Sequence, residues 1–140
     1  MNQKIIETKY WVLELAENQY YLGRSYIILK RDSRLLSKIT SKEAEELFQI
    51  IKKMETALKK AFGATMFNWT CLMNDAYKAK NPKPQVHLHC WPRYKKIVKF
   101  EGEVFHDEVF AHHYDKYREK KLNPKILKKI VDKIKAEISF

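Results

Sequence analysis

Gln85-Val86-His87-Leu88-His89-Cys90-Trp91-Pro92-Arg93-Tyr94 is the stretch on which both the fold and the chemistry turn. Alternation with a period of two sends Gln85, His87, His89 and Trp91 to one face of a strand. Val86, Leu88 and Cys90 go to the other, the apolar face that a core takes. Pro84 and Pro92 bracket the run and limit how far regular pairing extends. Neighbours on one strand face stand about 6.5–7 Å apart at Cα, so both imidazoles reach one phosphate-sized group. A histidine nucleophile with a histidine proton donor beside it suits that spacing.

Outward from this strand, residues 10–15 read as an aromatic and aliphatic strand, and residues 17–19 as a turn. Residues 26–29 form a second strand after Gly23. At Thr40 the period changes. Thr40-Ser41-Lys42-Glu43 is a capping box, with a hydroxyl at the N-cap and a carboxylate three residues on. Ala44, Leu47, Phe48, Ile51, Met54, Leu58 and Phe62 follow at helical spacing, and Gly63 is placed to close the helix. Residues 66–73 predict a third strand ending at Asn74-Asp75, a polar loop over 76–83 leads to the histidines, and residues 97–100 predict an edge strand. Asn123-Pro124 reads as an N-cap with proline at the first helical position, and Ile126, Leu127, Ile130, Val131, Ile134 and Ile138 stripe a terminal helix. The expectation is α+β: a mainly antiparallel sheet of about five strands, one long helix packed on it and a C-terminal helix. Residues 1–140 read as one domain with a helical extension from about 123.

Hydrophobic content of 45% supports a folded core rather than disorder. No run approaches the ~20 apolar residues of a membrane span. Met1-Asn2-Gln3-Lys4-Ile5 lacks the apolar stretch of a secretory signal. Cys71 and Cys90 sit in apolar runs and read as buried reduced thiols, so a cytoplasmic location is expected. The net charge of +11 suits a polyanionic partner. Lysines of 52–60 and 125–135 fall opposite apolar stripes and read as solvated helix faces. Lys78, Lys80, Lys83, Arg93, Lys95 and Lys96 instead flank the histidine strand, where they would concentrate an anionic substrate.

Two imidazoles on one strand can also ligate zinc, but such a site needs a third protein ligand. His106, His112, His113 and Asp75 are candidates, none at a diagnostic spacing, and the surrounding lysines disfavour a cation. No metal site is expected.

The stretch from Gly23 to Tyr94 resembles the histidine triad family of nucleotide hydrolases and transferases. That family carries His-x-His-x-His followed by two apolar residues, commonly with Pro-Arg after them. Here the motif is Gln85-Val86-His87-Leu88-His89-Cys90-Trp91-Pro92-Arg93. The likeness includes Leu22-Gly23-Arg24, residues 27–31, the capped helix, Ala61-Phe62-Gly63-Ala64, Phe67-Asn68-Trp69 and Asn74. It is best to the branch that includes diadenosine tetraphosphate hydrolases.

The resemblance implies that His87 attacks an α-phosphorus to form a nucleotidyl-imidazole, with its other nitrogen held by a backbone carbonyl. It implies that His89 contacts the phosphate or leaving group and helps to protonate it, and that Asn74 hydrogen-bonds the phosphate; Asn-Asp is equally good turn chemistry. It also implies a homodimer, a nucleotide as small-molecule substrate and no cofactor, magnesium entering only with a polyphosphate. Several positions depart from the pattern. Gln85 replaces the first histidine and keeps only hydrogen bonding toward the phosphate. Arg24 and Asp32 stand where many members have histidine, and Pro82 where many have a hydroxyl near the leaving group. Arg24 and Arg93 are candidate phosphate contacts. Ala16 falls where an acidic residue often binds the ribose, leaving Glu14 or Glu17 as substitutes. The function expected is hydrolysis or nucleotidyl transfer at the α-phosphate of a dinucleoside polyphosphate or nucleotide phosphoramidate. The alternative is a non-catalytic module of the same fold that binds nucleotides or RNA, with tryptophans and tyrosines to stack on bases.

Overall fold

The computed structural model describes residues 3–138, so Met1 and Asn2 of the N-terminal stretch read above lie outside the described residues. Five strands form one antiparallel sheet: β1 (Lys4–Glu7), β2 (Trp11–Leu15), β3 (Ser25–Leu29), β4 (Met66–Thr70) and β5 (His87–Arg93). Their order is β1-β2-β3-β5-β4, which puts the histidine strand inside the sheet between β3 and β4. Between β3 and β4 runs α1 (Ser41–Phe62), and α2 (Pro124–Glu137) ends the fold. A two-stranded hairpin, β6 (Val98–Phe100) with β7 (Glu103–Phe105), stands apart from the main sheet.

Alternation sorts the sheet into two faces. Trp11, Leu13 and Leu15 of β2, Ile27 and Leu29 of β3, and Leu88 and Cys90 of β5 are buried against the helices. Ile50, Met54 and Leu58 of α1 and Ile130 and Ile134 of α2 close that core. The opposite face carries Val12 and Glu14, then Tyr26 and Ile28, then His87, His89 and Trp91.

Helix α1 begins where its capping box predicts. Thr40 Oγ1 accepts from the Glu43 amide while Glu43 accepts from the Thr40 amide, and Gly63 ends the helix in the left-handed region. Arg31 reaches over to grip Glu43 with two nitrogens, tying the exit of β3 to the start of α1. Gly23 has φ +87°, and a Cβ there would collide with the Leu58 side chain of α1. Glycine is therefore required at the turn that launches Arg24 and β3.

Three elements differ from expectation. The fifth strand is residues 4–7 rather than 97–100; with only Ile5 fully buried, that short edge carries little periodic signal. The third strand stops at Thr70, and Asp75–Lys78 makes a short 3₁₀ turn instead. The histidine strand runs through Pro92 to Arg93, because pairing with β3 ends at Cys90 and only β4 continues alongside.

Candidate active site

On β5, His87 and His89 stand beside Ile28 and Tyr26 of β3, with Thr70 of β4 on the far side of His89. The two rings meet at 3.2 Å between their Nε2 atoms. His87 Nδ1 lies 2.7 Å from the carbonyl oxygen of Gln85. A carbonyl only accepts, so Nδ1 carries the proton and His87 Nε2 keeps its lone pair. His89 then donates Nε2–H to His87. Burial, followed by the neighbouring His87 and the Arg24 guanidinium, pushes the His89 pKa down to about 4, so its ring is neutral at pH 7.

The cleft in front of the rings has a volume of about 160 Å³. Leu72, Met73 and Asn74 form one wall, Arg24 and Trp91 another, and Lys116 stands at the rim. Arg24 lies flat over Trp91, its guanidinium carbon 3.9 Å from the ring centroid, and none of the ion pairs among the described residues engages it. Burial lowers the Arg24 pKa, but the group stays protonated. Among the described residues, the two buried side-chain polar atoms without a partner are Arg24 Nε and His89 Nδ1, both on residues lining this cleft. Asp75 is balanced by Lys78 at 2.8 Å, so the cleft keeps a positive balance.

The face that sequence marks as polar changes character along β5. His87 and His89 are half-open, whereas Trp91 and Arg93 are buried, at 1% and 0% exposure. Residues 106–118 cross over that end. Tyr114 stacks on Trp91 at 4.1 Å, and Trp91 Nε1 donates to Thr70 Oγ1. Tyr21 Oη accepts from the Asp115 amide, and Asn18 holds the Arg118 carbonyl and the Lys120 amide.

Placement of the candidate residues follows. His87, His89, Asn74, Gln85 and Arg24 border one cleft. Asn74 makes the turn with its backbone, its carbonyl accepting from the Tyr77 amide, while its side chain takes no part in capping. Both of its sequence readings are therefore sterically compatible. Gln85 differs from expectation: its amide nitrogen donates to the carbonyls of Leu29 and Arg31 and its oxygen accepts from the Ser33 amide. That side chain is spent on backbone, and the atom of Gln85 that faces the chemistry is its main-chain oxygen. Arg93 is corrected outright. All its donors are engaged, on Asp107, Asn68 and the carbonyls of Val109 and His112, so none is left for a phosphate. Lys95 and Lys96 are exposed beyond the buried end of β5. The cleft's second cation is Lys116, which sequence reasoning passed over because nothing local connects it to β5.

Ala16 is buried, and Glu14 shares a separate surface concavity with Glu17 and Tyr26. Tyr26 meets the His89 ring edge-on at 5.1 Å, so Glu14 lies two strands away from the histidine row, with β3 between. Among the described residues no three His, Cys, Asp or Glu side chains are grouped to hold a metal ion. No helix there is long and apolar enough to cross a membrane.

The model of the HIT domain family matches residues 1–96 of the 140. The chain belongs to the HIT family. Solved HIT structures repeat the fold. A histidine triad (HIT) protein from Sinorhizobium meliloti superposes with a TM-score of 0.76 at 15% identity, over 98% of this chain and 90% of that one. A histidine triad protein from Marinobacter aquaeolei gives 0.74 at 14% identity, over 98% and 88%. A HIT family protein from Bacillus anthracis is 26% identical over 69% of this chain and 67% of its own, with a TM-score of 0.56. No curated protein matches the chain. The HIT match ends just past the histidine strand, so Lys116 reaches the cleft, and Tyr114 stacks behind it on Trp91, from outside the matched residues.

Proposed function

We propose that this HIT-family chain is a nucleotide hydrolase or nucleotidyl transferase, acting at the α-phosphate of a dinucleoside polyphosphate or nucleotide phosphoramidate. It resembles most the branch that includes diadenosine tetraphosphate hydrolases. The observation that carries the reading is the relay from the Gln85 carbonyl through His87 to His89, which turns the unprotonated nitrogen of one imidazole toward the N–H of its neighbour.

In the first step His87 Nε2 attacks the α-phosphorus. An N–P bond forms, the bond to the leaving oxygen or nitrogen breaks, and His89 passes its Nε2–H to the leaving group while its Nδ1 takes a proton from water, so the ring ends neutral. Arg24 and Asn74 hold the phosphate oxygens, with Lys116 toward the leaving side. The developing positive charge on His87 is spread to the Gln85 carbonyl through Nδ1–H. In the second step water or another hydroxylic acceptor attacks phosphorus and gives up its proton to solvent, the N–P bond breaks, and His87 recovers its lone pair. No metal belongs to either step; magnesium arrives, if at all, with the polyphosphate. Glu14, beside Tyr26, is the acidic side chain we assign to the ribose hydroxyls. A homodimer formed through the sheet and the main helix, in the cytoplasm, completes the reading.

The test is to incubate the protein with a diadenosine polyphosphate, quench in mild base and weigh the intact chain. An added nucleotidyl mass on His87, lost in His87→Asn, is the expected result. Tight nucleotide binding with neither adduct nor product would identify a binding module instead. Light scattering across a concentration series reads the dimer.

A further inference from the structure

Beyond the catalytic cleft a second hollow, of about 350 Å³, opens between the loop after β4 and the 113–117 turn. It shares Leu72, Asn74 and Lys116 with the first, so the two form one continuous groove. Its outer wall is Tyr117, 81% exposed, the most exposed of the large hydrophobic side chains among the described residues. Tyr114 forms the floor, held flat by its stack on the buried Trp91. The Lys116 ammonium, 5.3 Å from the Tyr117 ring centroid, stands where the hollows join.

An exposed aromatic side chain alone is ordinary surface. The backbone that carries this one is fixed in place: the Tyr117 amide donates to Asp115 Oδ1, Asp115 is paired with Arg118, and the Asp115 amide donates to the buried Tyr21 hydroxyl. Arg118 is also held by Glu108. The turn is thus clamped to the sheet, and the groove it bounds is preformed rather than made by a loose loop.

We infer that this hollow is a subsite for the departing half of the substrate, and that the group it takes is an aromatic base. The inference rests on the proposed cleavage at the α-phosphate and adds the class of leaving group. Phosphates bridging the two hollows pass beneath Lys116, which neutralises the charge that grows on the departing oxygen. The base beyond them stacks on Tyr117, an interaction that accepts any flat π-system. Leu72 and Asn74 apart, the lining of the subsite, residues 113–117, lies outside the family match, so the leaving-group preference is set largely by this chain's own C-terminal segment.

The test compares two substrates, a diadenosine polyphosphate and adenosine 5′-phosphoramidate, whose leaving group is ammonia. In Tyr117→Ala the ratio of kcat/KM for the first to that for the second should fall about tenfold, the scale of one stacked base. Tyr117→Phe, which keeps the ring, should hold the wild-type ratio. A ratio unmoved by Tyr117→Ala, or wild-type turnover of the phosphoramidate without the dinucleotide, overturns the subsite while leaving the cleavage reading intact. Turnover of neither substrate by the wild-type chain overturns that reading itself.

Discussion

His87 Nδ1 meets the main-chain oxygen of Gln85 at 2.7 Å, two residues back on the same strand. The contact fixes the ring's tautomer with an atom that every residue possesses. A histidine at position 85 is therefore not needed to orient the nucleophile, and the Gln85 amide is free to work elsewhere. It bonds Leu29, Arg31 and Ser33, fastening the entry of β5 to the end of β3.

From this division of labour, Gln85→Ala should lower stability by about 2 kcal/mol, since three hydrogen bonds are lost and two carbonyls are left to water. The backbone acceptor survives the change, so the folded variant should still form the His87 adduct. Urea unfolding and adduct mass read the two effects separately. An adduct loss as complete as that of His87→Asn would show that the glutamine side chain takes part in the chemistry.

The Arg93–Asp107 pair makes a second prediction. Its nitrogen and oxygen meet at 2.7 Å with both side chains essentially inaccessible. Asp107→Ala strands a buried guanidinium and should cost about 3–5 kcal/mol in urea unfolding. Arg93→Met combined with Asp107→Leu removes both charges and should recover part of that loss. A double variant that recovers nothing relative to Asp107→Ala would mean that Arg93 holds the 106–115 segment mainly through the Val109 and His112 carbonyls.

How much could be read beforehand depends on how far apart the interacting residues lie in the chain. Thr40 and Glu43 are three residues apart, so the start of α1 is legible from the sequence. The period-two alternation of β5 likewise assigns His87 and His89 to the face opposite Cys90. Arg93 defeats the same reasoning because its surroundings come from residues 14 to 25 positions away, Asp107 and Asn68 among them. Trp91 counts as part of a polar face until Tyr114, 23 residues on, covers it. Lys116 and Tyr117 carry no local pattern at all; only the clamp on Asp115 brings them to the groove.

Electrostatic capture gives a third prediction. Arg24 at the cleft wall has no ion-pair partner among the described residues, and Lys116 at the rim is exposed. The kcat/KM for a polyphosphate substrate should fall steeply as salt is raised from about 0.01 to 0.3 M, because the Debye length shrinks from about 30 Å to under 8 Å. Lys116→Ala should lower the rate at low salt and flatten the slope. A wild-type rate insensitive to salt would remove charge steering from the account.

Acid stability separates His89 from the carboxylates. Its ring is held near 4 by burial and by His87 and Arg24, opposed only by Asp75, against an ordinary value of 6.5. As pH falls below 6.5 the unfolded chain takes up a proton at this residue while the folded chain does not, so stability is lost progressively until about 4. Glu43 is held at about 2, first by Arg31 and then by the Thr40 amide; its contribution is present above its ordinary 4.5 and is lost below it. Glu7 and Asp75, lowered by their lysines, follow the same sign in that lower range. Among the shifted groups, the window between about 6.5 and 5 therefore reports His89 alone. Urea midpoints measured there should fall with acid in the wild type and stay nearly level in His89→Gln. Equal slopes for the two proteins would mean that the ring is solvated and ready to charge, and His89 would then lose its place as the neutral donor to His87.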